Sequence, residues 1–313
     1  MSTSGPSTDA FAQQIETELE QTEVDIKQLS QSQQTSLNED SLVLAKEVVR
    51  KFQPVPQFIW RISHFTMGRA GRVNKLSDGN LFGLKKLVLA IGKDKVLGKG
   101  TSMLTTRAVV ESVPSDVIAA CAVIHAIGRR LHSKEFHAVW GPILDDAMMR
   151  AGVGYFVGTM SEDFGPGRGM LAGFAGRVGL AVLIASGTAE QAHNAITLLA
   201  GGRQIEEVAM ELYGCEPLHV AAMILSAAGC GRESVIGVAA FTMASQDKES
   251  LGRAQKLWLA ALTITEKVRS GELAGIPESD WILMGYEVAA ERKELSEIVT
   301  TLKRRGHGWD WMI

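Results

Sequence analysis

Histidine and carboxylate side chains are the usual protein ligands of a divalent metal ion. A hydrolytic metal site needs several such side chains that converge on one point, and an adjacent His-Asp pair would supply two of them. The chain has seven histidines, and none of them is followed by aspartate. His132 and His137 precede Asp145 and Asp146, and these four form the one group that could build a metal site without a His-Asp pair. The sequence favours the alternative, in which they are solvated side chains near the start of a helix.

Residues 173–183 read GFAGRVGLAVL. They resemble the second helix of the HD phosphohydrolase superfamily, in which the usual run is close to GLLHDIGKLVL. Val178, Gly179 and the apolar flanks match, whereas Gly176 and Arg177 replace the His-Asp pair. Glycine contributes no ligand, and a guanidinium repels a cation. This pattern resembles the HDOD family, a non-catalytic branch used in bacterial signalling, and it implies the scaffold of a metalloenzyme without its chemistry.

The resemblance to HDOD proteins extends over residues 54–245, roughly three fifths of the 313-residue chain. Other short segments resemble family motifs and occur in the family's order: Pro54–Gln57, Ile91–Leu97, Val123–Gly128, Val139-Trp140, and Gln204–Gly214 followed by His219. Two departures are plain. Lys95 stands where the family has proline, and Gly141-Pro142 follow Trp140 where many members carry His-Ser.

Apolar residues recur at helical spacing along most of the chain, and no period-two strand pattern is present, so we expect an all-α fold. The resemblance implies an N-terminal helical bundle packed on an HD-like helical bundle. We expect residues 1–40, rich in Ser, Thr, Gln and Glu, to be a disordered or weakly helical arm. Residues 41–246 would form the HDOD domain, divided into 41–130 and 131–246. Residues 247–313 would form a C-terminal helical extension, in which Pro277 begins a last helix running to Arg305.

Composition narrows the function classes. The net charge of -3 gives no global basic field that would attract nucleic acid or an anionic membrane. Cys121, Cys215 and Cys230 form no CxxC pair and are interpreted as reduced, buried thiols of a cytoplasmic protein. The N-terminus carries no apolar signal segment. The most apolar stretch, residues 169–187, contains Arg177, so we expect a core helix rather than a membrane span.

The glycine-rich turn Gly165–Gly169 precedes a helix and could cradle a phosphate, although neither the Walker nor the Rossmann context accompanies it. Loop flexibility is the favoured interpretation. Arg168, Arg177 and His219 are the candidate residues for an anion site or a groove. Separately, three glycines share one side of a helix: Gly169, Gly173 and Gly176. Small residues let a neighbouring backbone approach closely, which favours a collapsed metal pocket over an exposed docking groove.

Trp309 and Trp311 lie in a polar tail, either folded back on the helical body or presented to a partner, since such aromatics often anchor interfaces. From the resemblance we expect a non-enzymatic signal-transduction adaptor with protein partners, no catalytic residue, no metal and no cofactor. Whether the chain forms a homo-oligomer stays open. One alternative is a sensor that binds a nucleotide or small anion near Arg168 and Arg177. Another is a residual metal-dependent phosphohydrolase that uses acidic residues in place of the lost pair.

Overall fold

A computed structural model describes residues 8–31, 39–68, 75–77, 81, 83–99, 105–243 and 248–313. The described residues form fifteen α-helices and no strand, which confirms the all-α prediction. The helices are α1 Thr8–Gln31, α2 Glu39–Phe52, α3 Gln57–Met67, α4 Lys85–Lys93, α5 Thr106–Ser112, α6 Ser115–His132, α7 His137–Thr159, α8 Pro166–Ser186, α9 Ala189–Ala200, α10 Ile205–Tyr213, α11 Pro217–Ala227, α12 Arg232–Ala239, α13 Arg253–Ser270, α14 Glu278–Leu283 and α15 Ala289–Arg305. Short 3-10 turns follow at Ala240–Thr242, Leu273–Gly275 and Asp310–Met312.

Helix α8 lies at the centre of the bundle, and α6, α7, α11 and α13 pack around it. Among the described residues it is the only single helix long and apolar enough to cross a membrane. Two bent pairs, α5–α6 and α10–α11, reach that threshold only if each pair counts as one span. In the fold, 89% of the apolar window of α8 is buried inside the protein, as expected of a core helix.

The backbones of α7 and α8 are in direct contact through glycines. A Cβ atom added to Gly154 would overlap the carbonyl oxygen of Gly169, and one added to Gly169 would overlap that of Gly154. Gly173 lies in the same way against the carbonyl of Arg150. At these three positions the crossing leaves no room for a side chain between the two helices. The close approach predicted from Gly169 and Gly173 is therefore confirmed.

Residues 8–31 form a packed helix, which corrects the prediction of a disordered or weakly helical arm for this part of the chain. Helix α1 packs on α2, α11 and α12, with Leu19 and Ile26 fully buried at helical spacing. Polar side chains of α1 also form hydrogen bonds to α11 and α12. The Thr22 hydroxyl donates to Ser226 Oγ at 2.6 Å, and Arg232 Nε donates to Asp25 Oδ2 at 2.7 Å. The residues of α1 are mostly polar, but they include one narrow apolar stripe, and such a stripe is enough to pack a surface helix on the core.

The predicted last helix is divided in two, which is a second correction. Helix α14 ends at Leu283, and α15 begins at Ala289. Gly285 between them has a φ of +85°, a left-handed conformation that glycine adopts at little cost. The turn brings Tyr286 against α7, where its hydroxyl donates to the carbonyl of Phe156 at 2.8 Å. The extension is therefore attached to the bundle through this turn.

The three cysteines are free and buried, as the sequence predicts. Burial raises the pKa of Cys215 to about 12 and that of Cys230 to about 12, and it also raises the pKa of Cys121. Each thiol is therefore protonated at neutral pH, and a protonated thiol is a poor nucleophile. None of the three is suited to covalent catalysis.

Candidate functional site

Gly176 and Arg177 lie on the third and fourth turns of α8, facing α7 and α13. A Cβ atom at Gly176 would overlap Glu266 Oε1 on α13. The missing side chain therefore makes room for a carboxylate of the neighbouring helix. Arg177 extends into the same region, where its Nη1 donates to its neighbour's carbonyl, Gly176 O, at 2.7 Å.

Five charged side chains from three helices meet here, and we call them the arginine–carboxylate cluster. They are Asp146 and Arg150 of α7, Arg177 of α8, and Glu266 and Arg269 of α13. Arg177 spans both acids, with Nε 3.3 Å from Asp146 Oδ2 and Nη1 3.5 Å from Glu266 Oε2. Arg150 also spans both, at 2.8 Å to Asp146 Oδ2 and 2.5 Å to Glu266 Oε1. Arg269 Nη2 lies 2.9 Å from Asp146 Oδ1.

The cluster holds three guanidinium groups and two carboxyl groups. Burial acts to raise the pKa of Asp146, but its contacts with Arg150, Arg269 and Arg177 outweigh this and hold that pKa below its ordinary value. Burial raises the pKa of Glu266 in spite of the arginines beside it, and it lowers the pKa of Arg177. With Asp146 ionised, the cluster carries excess positive charge, which opposes the binding of a divalent cation.

His132, His137 and Asp145 are exposed, as the favoured interpretation of solvated side chains expects, and the four candidate metal ligands do not converge. His132 and His137 stack with ring centroids 5.4 Å apart, and both line a cavity of about 290 Å³ together with Asp145. Asp146 points instead into the arginine–carboxylate cluster. Within the described part of the chain, no group of three or more His, Cys, Asp or Glu side chains could hold a metal ion. These two histidines contact Trp140 and act as packing groups at the start of α7.

The glycine-rich turn before α8 already holds a carboxyl group of the protein itself, whose pKa is raised by burial. The buried Asp116 of α6 accepts a hydrogen bond at 2.7 Å from the backbone N–H of Gly167, and the backbone of Arg168 also contributes. A carboxylate at this position satisfies the free N–H groups of the α8 N-terminus. In the candidate phosphate cradle, the place of a phosphate is thus taken by the Asp116 side chain.

Arg168 and Arg177 do not form a common anion site. Arg168 is buried at the start of α8, and its Nη1 donates weakly to the carbonyls of Asp163 at 3.4 Å and Phe164 at 3.5 Å. Arg177 lies more than two helical turns further along and belongs to the arginine–carboxylate cluster. The sensor alternative placed an anion near Arg168 and Arg177, and the fold puts these two side chains in different surroundings.

His219 is a buried core residue that faces α2 rather than an open groove. Its Nδ1 lies 2.9 Å from Ser41 Oγ, and the same hydroxyl accepts the backbone N–H of Glu216 at 2.9 Å. Burial lowers the pKa of His219 to about 4. The imidazole is therefore neutral at physiological pH, where it cannot attract an anion by charge.

The neutral His219 predicts a pH dependence of stability. The unfolded chain takes up a proton as the pH falls below the ordinary histidine pKa of 6.5, whereas the folded protein does so only near 4. Stability is then fully present above 6.5 and is lost progressively between 6.5 and about 4. We expect His219→Asn, which cannot titrate, to flatten this part of the profile of unfolding free energy measured by urea denaturation. Gly152→Ala, which removes no titratable group, should retain the wild-type slope, and equal slopes in all three proteins would contradict the assignment.

The C-terminal tail is folded back on the bundle. Trp309 is 2% exposed and its ring meets that of Tyr155 edge-on. Trp311 is half-buried and its indole N–H donates to Asp94 Oδ2 at 3.2 Å. His125 Nδ1 contacts the carbonyl of Met312 at 2.6 Å. For Trp309 the prediction of a partner-binding anchor is thus corrected, because its ring is already covered by the protein's own core. For Trp311 it stays a prediction.

The sequence alone does not identify Glu266 and Arg269 as partners of Arg177. They lie on α13, about ninety residues beyond Arg177 in the chain, and nothing local connects the two segments. One signal was available. Glu266 and Arg269 occur on the same side of α13 as Leu262, which is fully buried, and charged residues on an apolar helix face call for partners of opposite charge.

The fold is similar to that of two bacterial proteins of known structure. A protein of Marinobacter aquaeolei VT8, provisionally named a signal transduction protein, matches with a TM-score of 0.59 and 15% identity, over 86% of this chain and 65% of that one. A protein of Shewanella amazonensis SB2B, provisionally named a phosphohydrolase, matches with a TM-score of 0.54 and 16% identity, over 85% of this chain and 95% of that one. This chain thus spans less than two thirds of the first protein. No protein-family model and no curated protein match the chain. At these identities the likeness shows a shared all-α fold.

Proposed function

We propose that this chain is a non-enzymatic signal-transduction adaptor of the HDOD type, which regulates protein partners through its helical surfaces. The observation that carries the proposal is the place of Arg177. Its guanidinium contacts the carboxyl groups of both Asp146 and Glu266, the two acids of the cluster that could otherwise bind a cation. A cation fixed to the backbone at this point opposes a second, mobile cation far more effectively than an empty pocket would.

The fold supports the same proposal. One protein of similar fold is provisionally named a signal transduction protein, and an adaptor needs only a stable helical body with accessible faces. We infer a cytoplasmic location and the absence of nucleic-acid binding from the thiol chemistry and the net charge of -3. The residual phosphohydrolase is the competing function, because another protein of similar fold is provisionally named a phosphohydrolase.

The metal content of chelator-free protein tests the proposal. We expect mass spectrometry to find no stoichiometric transition metal, because Arg150, Arg177 and Arg269 outnumber the two acids around them. We also expect no hydrolysis of bis(p-nitrophenyl) phosphate in the presence of added Mn²⁺. An adaptor should further be isolated in a stoichiometric protein complex. About one or two bound ions per chain, lost in Asp146→Asn, would instead establish a metalloenzyme built on acidic ligands.

A further inference from the structure

A groove of about 1060 Å³ separates α1 from α6, with the corner between α2 and α3 as its floor. We call it the α1–α6 groove. Its volume is at the upper end of sites for small organic ligands, roughly 300–1,000 Å³. No residue of the arginine–carboxylate cluster lines it, so it is a separate feature of the molecule.

One part of the groove is apolar. Phe11 and Ile15, one turn apart on α1, form one wall, and Phe58 and Leu84 contribute to the opposite side. The ring of Phe58 is 44% exposed. A large aromatic side chain left open to water inside a concave surface offers apolar area that a ligand can cover. This part of the groove suits an aliphatic or aromatic body.

The other part is cationic. Arg50 in the last turn of α2 and Arg129 and Arg130 in the last turn of α6 line it, and Glu16 is the one acidic side chain among the described residues that do so. Arg50 is neutralised by Glu16, to which its Nε donates at 2.8 Å. Arg130 Nε donates to the carbonyl of Phe52 at 2.8 Å. In the part of the chain that the structure describes, neither Arg129 nor Arg130 makes an ion pair.

The apolar and cationic parts lie in sequence along the groove. On α1, the ring of Phe11 faces that of Trp60 at a centroid distance of 6.3 Å, whereas Glu16 reaches Arg50 at the end of α2. Five residues of helix separate these two points, a rise of about 7.5 Å. A ligand that follows the groove would therefore meet apolar walls with one end and guanidinium groups with the other.

We propose that the α1–α6 groove binds a monomeric anionic amphiphile, with its carboxylate on Arg129 and Arg130 and its apolar body on Phe11, Ile15 and Phe58. Guanidinium groups bind carboxylates through paired, charge-assisted hydrogen bonds. The proposal goes beyond the adaptor function, since it supplies that adaptor with an input. His125 lines the same groove and contacts the carbonyl of Met312, so the ligand is one side chain away from the C-terminal tail.

Isothermal titration calorimetry of the full chain with decanoate, decylamine and decanol tests the proposal, each ligand below its micelle concentration. These ligands share one chain length and differ in the charge of the head group. We expect decanoate to bind at a single site, about tenfold or more tightly than decylamine. In Arg129→Gln/Arg130→Gln the decanoate affinity should fall by about tenfold or more. Arg304→Gln, an exposed arginine in the last turn of α15, is the matched control and should bind decanoate as the wild type does.

A second variant tests the apolar part independently. Ala126 of α6 lines the groove about one turn before Arg129 and Arg130, and Ala126→Phe should obstruct the groove and abolish decanoate binding while circular dichroism remains that of a folded protein. The proposal is overturned if decanoate does not bind, if decylamine binds equally well, or if the double glutamine variant binds like Arg304→Gln. None of these outcomes bears on the metal and hydrolysis measurements, so a failure here is distinct from a failure of the adaptor function.

Discussion

Asp146→Asn is expected to lower the free energy of unfolding by about 3 kcal/mol, the lower end of the cost of breaking a buried ion pair, because the Asp146 side chain is 27% exposed. Asp146 is the acid that contacts Arg150, Arg177 and Arg269 at once. Its loss would leave three guanidinium groups beside the single acid Glu266. Because the pKa of Asp146 is held below its ordinary value of 3.8, its contribution is present above that pH and is lost as the pH falls through the folded value. Urea denaturation at neutral and acidic pH measures both effects.

Two comparison variants make this prediction sharp. Asp145→Asn alters the adjacent side chain, which is exposed, and should change stability by no more than about 0.5 kcal/mol. Arg177→Met removes one cation of the excess and leaves two arginines facing two acids, so its cost should be less than half that of Asp146→Asn. If Arg177→Met is as destabilising as Asp146→Asn, the balance of charges does not govern the cluster and the specific contacts of Arg177 do.

The helical scaffold could be predicted because helix periodicity and capping are local properties of the chain. The capping box formed by Thr188 and Gln191 is an example, since both of its hydrogen bonds are present at the start of α9. That no His-Asp pair stands at residues 176 and 177 is also a local property of the sequence, since Gly176 and Arg177 occupy the two positions. The side chains that surround Gly176 and Arg177 cannot be predicted in this way, since Glu266 and Arg269 reach them only after α13 has packed across α7 and α8.

Two other differences between the sequence-based expectations and the observed fold also arise from tertiary contacts. Leu19 and Ile26 of α1 are buried by α11 and α12, which come about two hundred residues later, so a polar composition alone underestimates the helix. Asp116 shows the reverse case. It is well placed to cap its own helix α6, yet its carboxylate binds the N-terminus of α8. Local rules identify which groups need a partner, and packing decides which partner they find.

Gly154→Ala is expected to destabilise the protein by about 3 kcal/mol or more. Overpacking a core costs about 1–3 kcal/mol where neighbouring side chains can move aside. Here the obstacle is the carbonyl oxygen of Gly169, followed by the backbone of Gly173, and a helix backbone cannot yield unless all of α8 shifts. The matched control is Gly152→Ala on the same helix, where the nearest atoms to the new methyl are side-chain carbons of Leu302 and Trp309 at 3.6 and 3.7 Å. That variant should be neutral or gain up to about 1 kcal/mol of helix propensity.

The same crossing sets the geometry of the arginine–carboxylate cluster, because Gly173 rests on the carbonyl of Arg150 and Arg177 follows one turn later. An α8 displaced by Gly154→Ala would carry Arg177 away from Asp146, lengthening a contact that is already 3.3 Å. We therefore expect the Gly154→Ala and Asp146→Asn costs to be less than additive when combined, since each variant disrupts part of what the other depends on. Strict additivity in urea denaturation would show that the glycine crossing and the cluster are independent, and a Gly154→Ala as mild as Gly152→Ala would show that α7 and α8 separate at little cost.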